Sequence, residues 1–129
     1  MANQSKAGFT LIELLIVVVI IGILATIAIP KFAATKDKAK LASVRTDLRN
    51  VMTAQEAYWA DFSTFATIGQ LQAATNYTFS PGNSAAIAPT VSGYTVTVTN
   101  STITSTPNQC TVQVGGGSVA TLEGVVVCS

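Results

Sequence analysis

Hydrophobic and polar residues fall into three successive patterns along this chain. From Phe9 to Ile29 the sequence reads FTLIELLIVVVIIGILATIAI, apolar on every face and broken by one charge, Glu13. As a helix this run spans about 31 Å, close to the thickness of a bilayer's hydrocarbon core. Val, Ile and Thr form helices poorly in water. In lipid the backbone must satisfy its own hydrogen bonds, so a helix is predicted there all the same. Beyond Pro30, the residues Leu41, Val44, Leu48, Val51, Tyr58 and Phe62 recur at spacings of three, four and seven. That is one apolar face of an amphipathic helix. From Phe62 onward the pattern turns to short runs. Tyr94, Val96 and Val98 alternate with Thr95, Thr97 and Thr99, as in a half-buried strand. Cys110–Val114 and Val125–Cys128 are two further candidates, and an additional one lies around Ser118–Leu122. Gly69, Pro81-Gly82, Asn83, Pro89, Gly93, Pro107 and Gly115-Gly116-Gly117 read as turns between them. The expected fold class is α+β: a long amino-terminal helix whose second half lies on a small antiparallel sheet of three or four strands.

Charge sharpens the division. Before residue 31 only Lys6 and Glu13 are charged, and after Asp61 only Glu123 is. Across the 129 residues 10% are charged, with a net charge of +1, against about a quarter in an ordinary soluble domain. The length holds one domain, or one element plus a small domain. There is no His, which removes Ser-His-Asp and Cys-His chemistry and the usual metal ligand. Two cysteines are too few for a thiolate zinc site or an iron–sulfur cluster. No catalytic residue, metal ligand or cofactor site is predicted, so the chain reads as non-enzymatic. The near-neutral balance argues against a dedicated nucleic-acid binder. Lys36, Lys38, Lys40, Arg45 and Arg49 come nearest to a DNA-binding stripe, but Asp37, Asp47, Glu56 and Asp61 dilute it. A solvated helix face is the simpler expectation. Tyr58, Trp59, Phe62 and Phe65 read as cover for the core, not as a ligand site or an electron path.

Glu13 is the outlier. An ionisable group in an apolar span is costly and by default marks function. It lies one helical turn after Phe9. A cut before Phe9 would create an ammonium near this carboxylate, in a medium where each charge needs the other, within one chain or across to a neighbour. An ordinary signal peptide is the bland alternative: Lys6 gives a basic start, and Ala25-Thr26-Ile27-Ala28 a weak cleavage site. Gly8-Phe9-Thr10-Leu11-Ile12-Glu13, the apolar run and Pro30 together resemble the prepilin signature of the type IV pilin family, without a gap over GFTLIELLIVVVIIGILATIAIP. The resemblance implies a leader, residues 1–8, that stays on the cytoplasmic side. A membrane-embedded aspartyl prepilin peptidase would cut between Gly8 and Phe9 and methylate the new amino terminus of Phe9. Glu13 would then pair with a neighbour's amino terminus as an inner-membrane platform and a motor ATPase add the subunit to a filament. The segments that follow are a membrane-spanning and filament-core helix over 9–30, an amphipathic helix over 31–62 and a sheet head over 63–129. Pro30 lacks an N–H, and Gly22 is a second weak point, so a kink is expected there. In related filaments the stretch between them loses helicity. Charge counting alone would hold the residues after the helix in the cytoplasm, because Lys31, Lys36, Lys38, Lys40, Arg45 and Arg49 follow it. The cysteine pair and the resemblance place them outside.

Cys110 and Cys128 enclose 17 residues. Two separate reduced thiols are one reading. In an oxidising compartment a disulfide is expected instead, stabilising by about 3 kcal/mol on the chain-entropy estimate, and a small sheet domain needs such a staple. A carboxy-terminal disulfide loop also recurs in type IV pilins. The sequons at Asn76 and Asn100 are common by chance. The function the resemblance implies is a structural subunit of an extracellular filament serving adhesion, motility or DNA uptake. The alternative is a pseudopilin of a type II secretion system; those major subunits usually lack the disulfide and often hold calcium. Glu123, the one carboxylate after Asp61, is too little for calcium's oxygen-rich shell. A secreted soluble binding domain is the third reading.

Overall fold

A single helix, α1, runs from Leu11 to Phe62 in the computed structural model of the chain, in which residues 8–116 and 124–129 are described. It passes through Gly22 and Pro30. The chain divides into two units, Met1–Thr35 and Lys36–Ser129. The first consists, among its described residues, of the apolar run and the start of the charged stretch. The second is the head, and there the amphipathic half of α1 has something to pack on.

The remaining elements are α2 (Ile68–Thr75), β1 (Asn83–Pro89), β2 (Gly93–Asn100), β3 (Gln109–Gly115) and β4 (Val127–Cys128). The four strands form one antiparallel sheet in the order β1-β2-β3-β4, so each pairs with its successor. The register runs from Asn83 opposite Asn100 to Pro89 opposite Tyr94, then from Gly93 opposite Gly115 to Thr99 opposite Gln109. The alternation in β2 sets its faces as the pattern requires: Tyr94, Val96 and Val98 are buried, and the threonines between them are half-buried. Val44, Leu48 and Val51 of α1 meet Val96, Val98, Cys110 and Val112 of the sheet in one core with Ala66, Leu71 and Ile103. Each large aliphatic side chain so buried contributes about 1.5–3 kcal/mol. Where β2 starts and β3 ends the strands meet through Gly93 and Gly115. A Cβ on Gly93 would strike the Val114 carbonyl, and Gly115 has φ +68°, so both positions need glycine.

Several expectations are corrected here. Asn83 and Pro89 are the ends of a strand, not turns. β1 is rich in alanine and sits at the sheet edge, where small residues and a terminal proline are tolerated. Gly69 lies inside α2, whose start is a capping box: the Thr67 hydroxyl accepts from the Gln70 N–H, and the Gln70 side chain accepts from the Thr67 N–H. The last strand is two residues long, Val127–Cys128, not the four from Val125. Phe62, expected on the apolar face, is 56% exposed and stacks on Tyr58 with ring centroids 4.4 Å apart. The seat left vacant in that apolar series, between Val51 and Tyr58, belongs to Gln55, which is fully buried. Its Nε2 donates to the Ala66 carbonyl at 2.7 Å, and its Oε1 accepts from the Ala66 N–H at 2.9 Å. That pair ties the segment after α1 back onto the helix. The strand expected at Ser118–Leu122 lies outside the described residues, as do Gly117 and residues 1–7 of the expected leader.

Candidate assembly interface

Thr10 precedes the first residue of α1, and its side chain organises the helix start. Its hydroxyl accepts from the Glu13 N–H at 3.3 Å. Glu13 Oε2 in turn accepts from the Thr10 N–H at 2.9 Å and from the Thr10 hydroxyl at 2.7 Å. This is a reciprocal capping box, and the carboxylate also sits at the positive end of the helix dipole. The Thr-x-x-Glu spacing that encodes it stands in the sequence at Thr10 and Glu13, a signal that the periodicity of the run does not carry. Both bonds go to Oε2; among the described residues Oε1 accepts none. The Phe9 nitrogen of this chain is an amide, not an ammonium, and no hydrogen bond joins it to Glu13. Phe9 itself is 92% exposed.

The same exposure holds along the whole run. Every large hydrophobic side chain from Phe9 to Ile29 is at least half exposed, the least being Ile20 at 50%. The run is long and apolar enough to cross a membrane. An apolar surface of this length needs a cover, and among the described residues none packs over it. Within the run the Thr26 hydroxyl donates to the Gly22 carbonyl at 2.9 Å. Pro30, having no N–H, cannot bond back to the Thr26 carbonyl.

The head is held by carboxylates that the helix turns inward. Asp37, 8% exposed, accepts through Oδ2 from the hydroxyls and backbone N–H groups of Thr104 and Ser105, at 2.9–3.2 Å. The Ser105 hydroxyl leads in holding this carboxyl below its ordinary range; desolvation opposes, and the Thr104 hydroxyl and both amides assist. Lys40 completes the clamp, donating to the Thr102 carbonyl at 2.7 Å and lying 3.9 Å from Asp37 Oδ1. Asp47, 3% exposed, accepts from the Ser80 N–H (2.9 Å), the Ser80 hydroxyl (3.0 Å) and Asn83 Nδ2 (2.6 Å). Asn83 then accepts from Asn100 at 2.7 Å, and Asn100 accepts from the Thr102 N–H at 2.9 Å. These bonds tie α1 to the loop at Ser80, to β1 at Asn83 and, through Asn83, to β2 at Asn100. Cys110 and Cys128 are disulfide-bonded and stand opposite each other in the β3–β4 register. Among the described residues no three His, Cys, Asp or Glu side chains gather as a metal site would require.

A family model described as the prokaryotic N-terminal methylation motif matches residues 3–29. The type IV major pilin of Myxococcus xanthus is 46% identical over 67 residues, 50% of this chain and 30% of that protein. The type II secretion system core protein G of Klebsiella michiganensis is 42% identical over 70 residues, 54% of this chain and 49% of that protein. The type IV wide pilus major component of Thermus thermophilus is 39% identical over 64 residues, 50% of this chain and 49% of that protein. The chain thus spans between about a third and a half of the length of these relatives.

Proposed function

We propose that this chain, a member of the type IV pilin family, is a pilin precursor that polymerises into an extracellular filament. The observation that carries the reading is the apolar surface of residues 9–29, bare in the single chain and bearing one carboxylate near its start. A membrane covers such a surface before assembly, and other copies of the same helix cover it afterwards. Prepilin peptidase cuts between Gly8 and Phe9, and Phe9 becomes the methylated amino terminus. Its ammonium then seeks the Glu13 carboxylate of a neighbour in the same low-dielectric place. The capping box leaves Oε1 for that partner, so the helix start stays capped while the neighbour docks. The inner membrane holds the precursor, with the head outside the cytoplasm where a disulfide persists. A platform and a motor ATPase extract the subunit. Gly22 and Pro30 are the points at which the extracted helix bends or loosens.

Relatives named as type II secretion core proteins favour the pseudopilin as the second reading. The Cys110–Cys128 bond and the lack of any carboxylate but Glu123 after Asp61 favour the pilin. Deleting the gene separates the two. Loss of surface filaments in electron micrographs, with secretion of exoproteins intact, supports the pilin. Normal filaments with a secretion defect would support the pseudopilin and overturn the proposal.

A further inference from the structure

The two sulfurs of the head's disulfide stand in unlike surroundings. Cys110 belongs to the core and is fully buried. Cys128, opposite it in the β3–β4 register, is half-buried on the two-residue edge strand. Arg45 Nε donates to Cys128 Sγ at 3.3 Å. Among the described residues Arg45 has no carboxylate within ion-pair distance, so this sulfur is what its guanidinium meets. Other charges near Cys128 are few. Arg49, one turn further along α1, shares a cleft with Val125 and Val126, and Glu56 lies two turns beyond it in that cleft. Asp37 and Asp47 are turned to other loops. None of the four described strands carries a charged residue, and Glu123 lies outside the described residues. The Ser129 N–H donates to the Gln109 carbonyl at 3.0 Å, and the Ser129 oxygen accepts from the Gln109 N–H at 3.3 Å. Neither bond passes through the sulfurs, so both act on the reduced chain as well as the oxidised one.

We propose that Cys128 is the sulfur through which this disulfide is made and broken, that Arg45 activates it, and that the reacting partner is a disulfide donor. A cation beside a cysteine favours the thiolate, which is the attacking form. In the reduced head the Cys128 thiolate attacks one sulfur of the donor. The donor's S–S bond breaks, a mixed disulfide forms on Cys128, and one donor thiolate leaves. Cys110 then gives its proton to solvent and attacks Cys128 Sγ. The mixed S–S bond breaks and the second donor thiolate leaves, so two electrons have passed from the cysteines to the donor. The opposite order fails at its first step, because Cys110 offers the donor no exposed sulfur. Reduction retraces the path. An incoming thiolate meets Cys128 and must expel Cys110 as a thiolate into the apolar core, where a charge is costly; that step is the slow one. The inference stands apart from the filament reading, since it concerns the head alone.

Cysteine reactivity in the reduced, detergent-solubilised full chain tests this, measured in the cold with the near-ultraviolet signal of Trp59 as the sign that the head is folded. Iodoacetamide at neutral pH should label Cys128 about tenfold or more faster than Cys110, and the two alike in urea. Arg45→Gln should slow labelling of Cys128 about threefold at neutral pH, because a roughly tenfold fall in thiolate is partly offset by its greater nucleophilicity. The same change should raise the pH at which labelling reaches half its maximum, and Arg45→Lys should restore both readings. Oxidised glutathione should form a mixed disulfide on Cys128 in the Cys110→Ser chain about tenfold or more faster than on Cys110 in the Cys128→Ser chain. Equal labelling of the two cysteines in the folded chain overturns the proposal, as does a pH midpoint that Arg45→Gln leaves unmoved. A reduced chain that lacks the folded Trp59 signal overturns it too, since Arg45 then has no fixed sulfur beside it.

Discussion

Gln55→Leu is the most informative single change to the head. The side chain is fully buried and is the hydrogen-bond partner of both backbone groups of Ala66, itself fully buried. Leucine fits the volume but can neither donate nor accept, and the other partner is backbone, which no substitution removes. An unsatisfied buried backbone group costs about 1–3 kcal/mol, so losing both costs about 2–6 kcal/mol. The apolar gain of leucine returns about 1–2 kcal/mol of this. Taken at the middle of each range the net loss is about 2.5 kcal/mol, which lowers the melting temperature of a domain this size by about 10–20 °C. Trp59, the chain's one tryptophan, stacks on Phe65 with centroids 4.4 Å apart, next to the tied segment. Its near-ultraviolet circular dichroism in detergent-solubilised chain reports the transition. Gln72→Leu, on the exposed side of α2, is the control and should shift the midpoint by about 2 °C or less. A Gln55→Leu protein that melts with that control would refute the claim that the amide pair holds the head together.

Reducing the Cys110–Cys128 bond, or replacing both residues with serine, should cost about 3 kcal/mol, seen as a lower melting midpoint; β4, which pairs through only Cys128 and Val127, should lose amide protection first. The Asp37 carboxyl is held below its ordinary value by the hydroxyls and amides of Thr104 and Ser105. Its contribution is therefore complete above pH ~4 and lost as pH falls through the folded value, and Asp37→Asn should flatten the acid limb of a melting-temperature profile. Burial pushes the Tyr94 phenol up to about 12, with the charge of Glu56 adding to it. Stability from this group is complete below pH ~10 and declines as pH rises toward the folded value; ultraviolet titration should show a late tyrosine whose midpoint falls in Glu56→Gln.

Whatever depended on periodicity was legible in the sequence. The apolar run, the Val44–Val51 face and the Tyr94–Val98 alternation state their surroundings directly, because large side chains repeat with the period of the element that buries them. β1 was hidden because Ala85, Ala86 and Ala88 carry little side chain to alternate and the flanking Pro and Gly read as breaks. α2 was shorter than a reliable periodic window, although its capping box was there to be read at Thr67 and Gln70. The partners of Asp37, Asp47 and Gln55 could not be read at all. Asp37 meets residues more than sixty positions away, and a polar residue on an apolar stripe looks like an exception until the loop that needs it is folded beside it. Glu13 stood out at once as a charge in lipid. Its cap on Thr10 did not, because an uncharged threonine within an apolar run carries nothing to mark it.

Intact mass and amino-terminal sequencing of filaments sheared from cells test the pilin account most directly. A chain beginning at methylated Phe9 is the predicted result. A mature start near Ile29, or filaments in which this chain is absent, would contradict it.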